Sequence, residues 1–210
     1  MAVTYKVQVF ARAPVSGEVK TRLIPRLGAD LAARVQQRLT ERTVATAKAA
    51  QVGPVELWCS PAPIHPSFVA LHTRGITLRE QGDGDIGMRM QRALADALRS
   101  GEYPILIGSD CPSLCAQDLR DAAQALQAGA DVAFVPAEDG GYVLIAARTC
   151  SPDLFDGIDW GSSRVMAQTR KQLRRLGYTW TELATRWDLD RPEDYDRLLR
   201  ELPQFSVAPS

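Results

Sequence analysis

Short apolar runs alternate along this chain with longer stretches in which apolar residues recur every three or four positions. The short runs predict strands at residues 5–11, 55–59, 76–81, 105–107, 132–135 and 142–147. The periodic stretches predict helices at 30–50, 86–98, 119–127, 163–176 and 192–202. We expect Asp30 and Asp85 to cap the first two helices. The alternation of strands and helices, with some runs apolar throughout, predicts an α/β fold with a mainly parallel sheet.

The composition is that of one ordinary globular domain without a repeat or linker, so we expect a single domain over residues 1–210. The 25 basic and 25 acidic residues cancel, which argues against a general nucleic-acid binder. No apolar run approaches the roughly 20 residues of a membrane span, and the N-terminus lacks the features of a secretory signal. Cys111 and Cys115 are spaced like half a zinc site, but no second pair follows, so we expect reduced, structural cysteines. A cytoplasmic protein is the resulting prediction.

A cationic, glycine-containing loop follows the first strand. Arg12, Lys20 and Arg22 surround Ser16-Gly17, whose backbone amides can face outward. Ligands of α/β sheets bind beyond the carboxyl ends of strands, where this loop lies, and a phosphate-rich ligand needs both cations and free amides. It is not a P-loop, because no Gly-Lys-Ser/Thr closes it. Local composition fits a phosphate-binding loop and a solvated basic loop equally well.

Residues 81–87 read Gln-Gly-Asp-Gly-Asp-Ile-Gly and formally match the dinucleotide-binding pattern G-x-G-x-x-G. We reject that interpretation, because Asp83 and Asp85 would repel a pyrophosphate and the motif does not belong to the opening strand–helix unit. A glycine-rich turn with Gln81 and outward carboxylates suits hydrogen bonding to a nucleobase or a sugar instead. A plain turn leading into a capped helix is compatible with the same residues.

Carboxylates follow several of the later elements. Asp110 ends a buried strand, a position suited to Mg²⁺, which prefers one or two carboxylates with phosphate oxygens and water. Asp139, in a glycine-containing turn, can bind a sugar hydroxyl or accept a proton. Asp188 and Asp190 alternate on an extended segment, so both can point to one side and complete a metal site with Asp110. Each position also has a purely structural interpretation, as a helix cap, a hairpin turn or an acidic helix N-terminus.

Serine-hydrolase chemistry has little support in the sequence. Ser109 lacks the G-x-S-x-G context of a hydrolase nucleophile. The two histidines, His65 and His72, lie in a proline-rich region that we expect to be a loop.

Taken in order, the motifs resemble one branch of the GT-A-type nucleotide-diphospho-sugar transferase superfamily. This glycosyltransferase-like branch is similar to the 2-phospho-lactate guanylyltransferases. The resemblance rests on residues 10–14, 17, 20–23, 81–87, 108–112, 139–142 and 188–194, and it spans nearly the whole chain. It implies the Rossmann-like GT-A fold, a three-layer αβα sandwich with a mainly parallel mixed sheet. The Asp-x-Asp pattern of many glycosyltransferases is absent after Asp110.

The resemblance also implies a set of site residues. Lys20, Asp110 and Asp139 are the expected catalytic residues. The expected nucleotide-binding residues are Arg12, Ser16, Gly17, Lys20, Arg22, Gln81, Gly82, Asp83 and Gly87. The expected ligands of a Mg²⁺ or Mn²⁺ ion are Asp110, Asp188 and Asp190.

Two reactions remain open from the sequence. The first is glycosyl transfer from a nucleotide sugar to a small-molecule acceptor, which the family favours. The second is nucleotidyl transfer, in which a phosphorylated small molecule attacks an NTP and releases pyrophosphate. Lys20 and Arg22 favour the second slightly, because a triphosphate needs more cations. A non-catalytic nucleotide-sensing domain is a third alternative, which the presence of Asp110 disfavours. No nucleic-acid or membrane partner is expected.

Overall fold

The computed structural model describes residues 3–206, so residues 1–2 and 207–210 of the predicted domain lie outside the described chain. The described part forms a seven-stranded sheet in the order β3-β2-β1-β4-β6-β5-β7. The strands are β1 (Tyr5–Arg12), β2 (Val55–Ser60), β3 (Thr77–Glu80), β4 (Tyr103–Gly108), β5 (Val132–Pro136), β6 (Tyr142–Ala147) and β7 (Trp180–Glu182). Only β6 runs antiparallel to its neighbours among these strands. The predicted mainly parallel mixed sheet is confirmed.

Helices cover both faces of the sheet. They are α1 (Ile24–Leu27), α2 (Ala29–Ala50), α3 (Pro66–His72), α4 (Ile86–Arg99), α5 (Ala116–Gln127), α6 (Val165–Leu176) and α7 (Pro192–Glu201). Short 3-10 segments lie at Thr21–Leu23, Pro152–Phe155 and Pro203–Phe205. Residues of α2, α3 and α5 share one apolar cluster with the sheet, and residues of α4 and α6 share another. The predicted three-layer αβα sandwich is confirmed.

Alternation along the central strands explains why both clusters form. Successive strand side chains point to opposite faces of a sheet. In β1, Val7 and Val9 pack beneath α2 and α5, whereas Phe10 packs beneath α4 and α6. Because both faces are covered, both sets of side chains are mostly apolar. Gln8, on the face of Phe10, is buried too, and its amide donates to the Ala93 carbonyl of α4 at 2.7 Å.

A third apolar cluster attaches the C-terminal region to the rest of the domain. Trp187 and Leu189, with Tyr195 of α7, pack against Leu23 and the first half of α2. The segment before α7 therefore lies next to the loop that follows β1. Residues separated by most of the chain are brought to one end of the sheet.

The order of the strands creates a crevice at this end. β1 pairs with β2 on one side and with β4 on the other, all three strands being parallel. The chain leaves β1 toward β2 on one side and passes from β3 through α4 to β4 on the other. Such switch points open a crevice beyond the carboxyl ends of the strands. Arg12, at the end of β1, and Asp110, just after β4, lie at this crevice.

The helix starts were predicted with mixed success. Asp85 caps α4 as predicted, because its carboxylate accepts a hydrogen bond of 2.8 Å from the Met88 amide. The prediction for Asp30 was wrong: α2 begins after Gly28, and Asp30 lies in its first turn. The Asp30 carboxylate instead accepts a hydrogen bond of 2.6 Å from the Ser16 hydroxyl.

The predicted loop around the histidines was also wrong, since residues 66–72 form α3. Pro66 occupies the first turn, where a missing amide hydrogen costs nothing. His65 caps the helix by accepting a hydrogen bond from the Ser67 amide at 3.3 Å. Phe68 and Leu71 supply the buried face. The neighbouring prolines obscured these two apolar residues, which lie three positions apart.

No helix within residues 3–206 combines the length and the apolar character that a membrane crossing requires.

Gly140, in the turn between β5 and β6, tests how tightly the loop that carries Ser163 is packed against that turn. Its φ is +93°, and a Cβ atom there would lie 2.2 Å from the backbone oxygen of Ser163. Gly75 has a similar φ, +82°, but an added Cβ meets nothing within 4 Å. We expect Gly75→Ala to cost about 1 kcal/mol of unfolding free energy from backbone strain. Gly140→Ala should cost about 2 kcal/mol more, because the loop carrying Ser163 must move.

Urea unfolding of both variants measures the difference. Equal losses of stability would show that the loop carrying Ser163 is not held against Gly140.

Candidate active site

A cavity of about 560 Å³ opens at the crevice between β1 and β4. Residues 10–12 and 108–110 form its strand-end wall, and Glu18, Gln81 and Arg89 contribute polar side chains from neighbouring elements. We call it the central cavity. Its lining is mostly polar and carries both signs of charge, so it suits a polar ligand with separate anionic and hydrogen-bonding parts.

Gln81 has a fixed orientation in this cavity. The residue is 4% exposed, and its side-chain amide nitrogen donates to the carbonyls of Ala11 at 3.2 Å and Trp58 at 2.8 Å. Both amide hydrogens are therefore used, and the nitrogen cannot exchange places with the oxygen. Within residues 3–206 no hydrogen-bond partner is assigned to Oε1, and the residue lines the cavity. Gln81 thus presents an acceptor, and not a donor, to the cavity.

Two arginines supply positive charge to the same cavity. Arg12 is exposed at its wall and has no ion-pair or hydrogen-bond partner assigned within residues 3–206. Arg89 donates from Nε to the Gly84 carbonyl at 2.9 Å, which holds its guanidinium near Ser60. Arg12 is therefore available to an incoming anion, while Arg89 is partly committed to the protein.

Lys20, on the loop after β1, contacts both the loop after β4 and the segment before α7. Its ammonium lies 2.8 Å from Oδ1 of Asp110 and donates to the Leu189 carbonyl at 2.5 Å. The side chain is only 7% exposed, whereas that of Asp110 is 56% exposed. Lys20 also has a φ of +48°, a left-handed conformation that costs a non-glycine residue roughly 1–2 kcal/mol. Such strain persists where surrounding contacts over-determine it, often at a functional site.

A second opening, of about 470 Å³, contains Asp139, Asp188 and Asp190 together with Arg22 and Arg191. We call it the acidic cleft. Arg22 forms an ion pair with Asp190, and the Asp139 carboxylate accepts from the Gly141 amide at 2.8 Å. Most of the lining consists of hydrophilic side chains and exposed backbone, so the cleft suits a small hydrophilic molecule.

Asp188 connects the acidic cleft with the Lys20–Asp110 pair. Burial and the negative charge of Asp139 raise the pKa of Asp188 to about 6. Lys20 opposes this shift and Asp110 adds to it, so the four groups lie within electrostatic reach of one another. The Leu189 amide donates to the Asp110 carbonyl at 2.8 Å, which docks this segment directly on the loop after β4.

These carboxylates fit a divalent cation that is shared with a ligand. Within residues 3–206, no three histidine, cysteine or acidic side chains are arranged to hold a metal ion by themselves. Mg²⁺ sites that use phosphate oxygens need only one or two protein carboxylates. The raised pKa of Asp188 indicates negative charge that a divalent cation would offset. Asp110 and Asp188 lie within electrostatic reach of each other and are suited to share such an ion, whereas Asp190, paired with Arg22, is not among the charges that shift the pKa of Asp188.

The structure divides the predicted site residues into two groups and leaves some aside. Arg12, Gln81 and Asp110 line the central cavity. The acidic cleft contains the predicted residues Arg22, Asp139, Asp188 and Asp190. Arg22, predicted to bind the nucleotide, therefore lies in the other opening, because its guanidinium turns toward Asp190.

The glycine-rich turn contributes less to the central cavity than its sequence suggested. A Cβ atom on Gly82 would lie 2.6 Å from an Arg92 side-chain nitrogen, and one on Gly87 would lie 2.6 Å from the Trp160 indole nitrogen. These glycines make room for protein side chains. Neither they nor Asp83 line the central cavity. Ser16 and Gly17 also lie outside its lining.

Sequence reasoning missed several residues of both openings. Ser60 ends β2, next to β1, so the rule that located Arg12 would also have found it. Arg89 lies one turn beyond the cap of α4, a position that could have been inferred from helical spacing. Residues 161–163 of the acidic cleft carry no such signal, because only packing against Gly140 places them there.

The chain is similar to one bacterial sequence family and to several solved structures. The sequence profile of a family described as "Uncharacterized protein conserved in bacteria (DUF2064)" matches residues 43–162. None of the curated proteins compared with the chain is significantly similar to it. A proposed nucleotide-diphospho-sugar transferase from Desulfovibrio desulfuricans G20 is 29% identical, with a TM-score of 0.86 over 95% of this chain and 88% of that one.

More distant solved structures share the fold. CMP:2-keto-3-deoxy-manno-octonic acid synthetase, complexed with CTP, is 13% identical, with a TM-score of 0.60 over 96% of this chain and 99% of its own. Glucosyl-3-phosphoglycerate synthase from Mycobacterium tuberculosis, in complex with Mn²⁺, UDP and glucosyl-3-phosphoglycerate, is 14% identical. Its TM-score is 0.57 over 100% of this chain and 82% of its own. The predicted resemblance to the GT-A-type nucleotide-diphospho-sugar transferases is confirmed.

The cysteines next to the site give a test of local burial. Burial raises the pKa of Cys111 to about 11 and the pKa values of Cys59 and Cys150 to about 12. Cys115 alone among the described cysteines is exposed. We expect Ellman's reagent at pH 8 to label Cys115 rapidly in the native protein, because Cys59 and Cys111 are buried, Cys150 is half-buried, and all three of these thiols stay protonated.

The Cys115→Ser variant should lose this fast reaction, and unfolded wild-type protein should react at all four cysteines. Rapid native labelling that survives Cys115→Ser would contradict the described burial of the remaining thiols.

Proposed function

The chain belongs to the bacterial DUF2064 family, and we propose that it is a transferase that takes a glycosyl group from a nucleotide sugar to a small hydrophilic acceptor. The observation that carries this proposal is the meeting of two openings at one charged junction. The central cavity lies at the switch point of the sheet, and Lys20 pairs with Asp110 of its lining while lying within electrostatic reach of Asp188 in the acidic cleft.

The central cavity suits the nucleotide. Gln81 presents a fixed acceptor, which can take a hydrogen bond from an N–H group on the edge of a base. Arg12, without a protein partner in the described chain, can bind the phosphates. The 29% identical neighbour is proposed to act on nucleotide-diphospho-sugars, and this supports the same donor class here.

Lys20 and Asp110 suit the diphosphate end of that donor. Asp110 is more than half exposed and lines the central cavity. Lys20 is almost buried and contacts the Asp110 carboxylate from within the protein. Asp110 and Asp188 would hold Mg²⁺ or Mn²⁺, which when bound supplies positive charge to a departing diphosphate. The Mn²⁺ in the glucosyl-3-phosphoglycerate synthase complex supports a divalent ion in this fold. Lys20 would add a fixed positive charge from the protein.

The acidic cleft suits the acceptor. Asp139 and Asp188 have no basic partner at hydrogen-bonding distance among the described residues, so either can accept a hydrogen bond from an acceptor hydroxyl. A carboxylate in hydrogen-bond reach of a hydroxyl can also take its proton as the group is transferred. Asp139 remains the proposed base, since Asp188 is the better placed to face a cation beside Asp110.

Nucleotidyl transfer is the second candidate, and the positive charge near the central cavity favours it. Arg12, Lys20 and Arg89 together can compensate more negative charge than a diphosphate carries. In that reaction a phosphorylated acceptor would attack an NTP and release pyrophosphate. Arg191, in the acidic cleft, would then face the acceptor phosphate.

Ligand-induced thermal stabilisation tests the proposed function. We expect Mn²⁺ or Mg²⁺ with UDP- or GDP-sugars to stabilise the protein by about 2.7 kcal/mol at 100 times Kd, a rise in Tm of roughly 5–10 °C for a domain of this size. Asp110→Asn should weaken metal-dependent binding at least about 10-fold. Asp121→Asn is the matched control, because this half-buried carboxylate of α5 accepts from the Gln117 side chain and lines neither opening.

If NTPs stabilise the protein and nucleotide sugars do not, glycosyl transfer is wrong as the proposed function and nucleotidyl transfer takes its place. If the wild type and Asp110→Asn bind the metal and nucleotide sugar equally well, Asp110 does not hold the metal.

The fixed amide of Gln81 generates a separate prediction. Gln81→Leu removes the side-chain acceptor together with the two hydrogen bonds that Nε2 donates to Ala11 and Trp58, so nucleotide binding should weaken at least about 10-fold. Binding of inorganic pyrophosphate, which lacks a base, should change by less than about twofold. Gln37→Leu, which loses only a contact with Glu41 on α2, controls for a general loss of an amide.

Isothermal titration with both ligands compares the three proteins. An equal loss of nucleotide and pyrophosphate binding would assign Gln81 to cavity structure rather than to base recognition.

A further inference from the structure

The Ser113 hydroxyl and the Cys111 thiol both hold the backbone of the residue that precedes Asp188, and Sγ of Cys111 donates to the Trp187 carbonyl at 3.2 Å. Oγ of Ser113 donates to the Trp187 carbonyl at 2.9 Å, and the Trp187 amide donates to the same Oγ at 3.0 Å. A hydroxyl has one donor and two acceptor positions, so it can satisfy both polar groups of one residue. Ser113 therefore replaces the pairing that a neighbouring strand would supply.

This contact fixes the two halves of the charged junction relative to each other. Ser113 lies on the loop that begins at Asp110, and Trp187 is adjacent to Asp188. On the other side of Asp188, the Leu189 amide donates to the Asp110 carbonyl at 2.8 Å. Both neighbours of Asp188 are thus hydrogen-bonded to the loop after β4, Trp187 through Ser113 and Leu189 through Asp110.

We propose that Ser113 is a positioning residue of the site, whose hydroxyl sets the Asp188 carboxylate opposite Asp110. This inference rests on the proposed function, in which those carboxylates face a divalent cation and a diphosphate. Ser113 itself lines neither the central cavity nor the acidic cleft. It acts through the Trp187 backbone, in the way that outer-shell hydrogen bonds orient the ligands of a metal.

The surrounding contacts keep the segment attached when the hydroxyl is removed. Arg186, which precedes Trp187, forms a two-pronged ion pair with the buried Asp118. The shorter of the two contacts joins Arg186 Nη2 and Asp118 Oδ1 at 2.6 Å. Trp187 and Leu189 are 4% and 0% exposed within the third apolar cluster. Loss of the Ser113 hydroxyl should therefore change the position of Asp188 more than it changes the stability of the fold.

An isosteric pair of variants tests the hydroxyl separately from the space it fills. Ser113→Thr keeps the hydroxyl. Ser113→Val has the shape of threonine with a methyl group in place of the hydroxyl, and Ser113→Ala removes the hydroxyl without adding a branch. Ser100→Ala is the matched control, because that exposed hydroxyl also donates to a backbone carbonyl but lies at the end of α4. Urea unfolding establishes that each variant is folded.

The measurement is the Kd of Mn²⁺, by electron paramagnetic resonance, with and without inorganic pyrophosphate. We expect Ser113→Ala and Ser113→Val to raise the Kd of Mn²⁺ with pyrophosphate about 10-fold. Ser113→Thr and Ser100→Ala should stay within about twofold of wild type. Recovery by the threonine variant is the feature that a merely space-filling role would not produce.

Two results would overturn the inference while leaving the proposed function intact. One is wild-type Mn²⁺ affinity in Ser113→Val. The other is an equal loss in the folded Ser113→Thr and Ser113→Val variants. If wild-type protein binds no Mn²⁺ with pyrophosphate, but a nucleotide still stabilises it, the metal part of the proposed function fails and the inference fails with it.

Discussion

The ammonium group of Lys20 is the contact on which the site depends. It is almost buried, and it bonds at once to Asp110 after β4 and to the Leu189 carbonyl near the C-terminus. An ammonium removed from water must be compensated by nearby acceptors, because an unpaired buried charge is very costly. The loop after β1 is therefore tied to both partners, and its backbone accepts a left-handed conformation at Lys20 to reach them.

This junction gives the two openings different chemical characters. On one side, the central cavity offers a fixed acceptor at Gln81 and a free cation at Arg12. On the other, the acidic cleft offers several carboxylates, among them Asp188, whose pKa is raised by burial and by the charge of Asp139. A ligand that carries a diphosphate and a divalent cation would complete both sets of charges. The reactive bond would then lie next to Lys20, Asp110 and Asp188.

Most of the fold could be predicted from local pattern. The central strands are mostly apolar on both faces, and Asp85 caps α4 as its sequence position indicated. The short edge strand β7 was missed, because Trp180–Glu182 is brief and only partly buried. The helix α3 was missed since prolines surround its two buried residues. Local sequence contains too little apolar surface in these elements to distinguish them from loops.

The site was predictable to the extent that strand ends determine it. Asp110 follows directly from its place after a buried strand. The partner of Arg22 could not be inferred, because Asp190 approaches it from the far end of the chain. Ser113 gave no signal at all, since its role depends on a tertiary contact with a backbone 74 positions away. Likewise, Gly82 and Gly87 matched a motif, but their space is filled by Arg92 and Trp160.

The most direct test of this account is a crystal structure with Mn²⁺ and a nucleoside diphosphate, with the ion located by its anomalous scattering. The account predicts one Mn²⁺ ion within about 2.5 Å of a carboxylate oxygen of Asp110, with the base near Gln81 in the central cavity. An ion held elsewhere, or a nucleotide bound outside the central cavity, would contradict it.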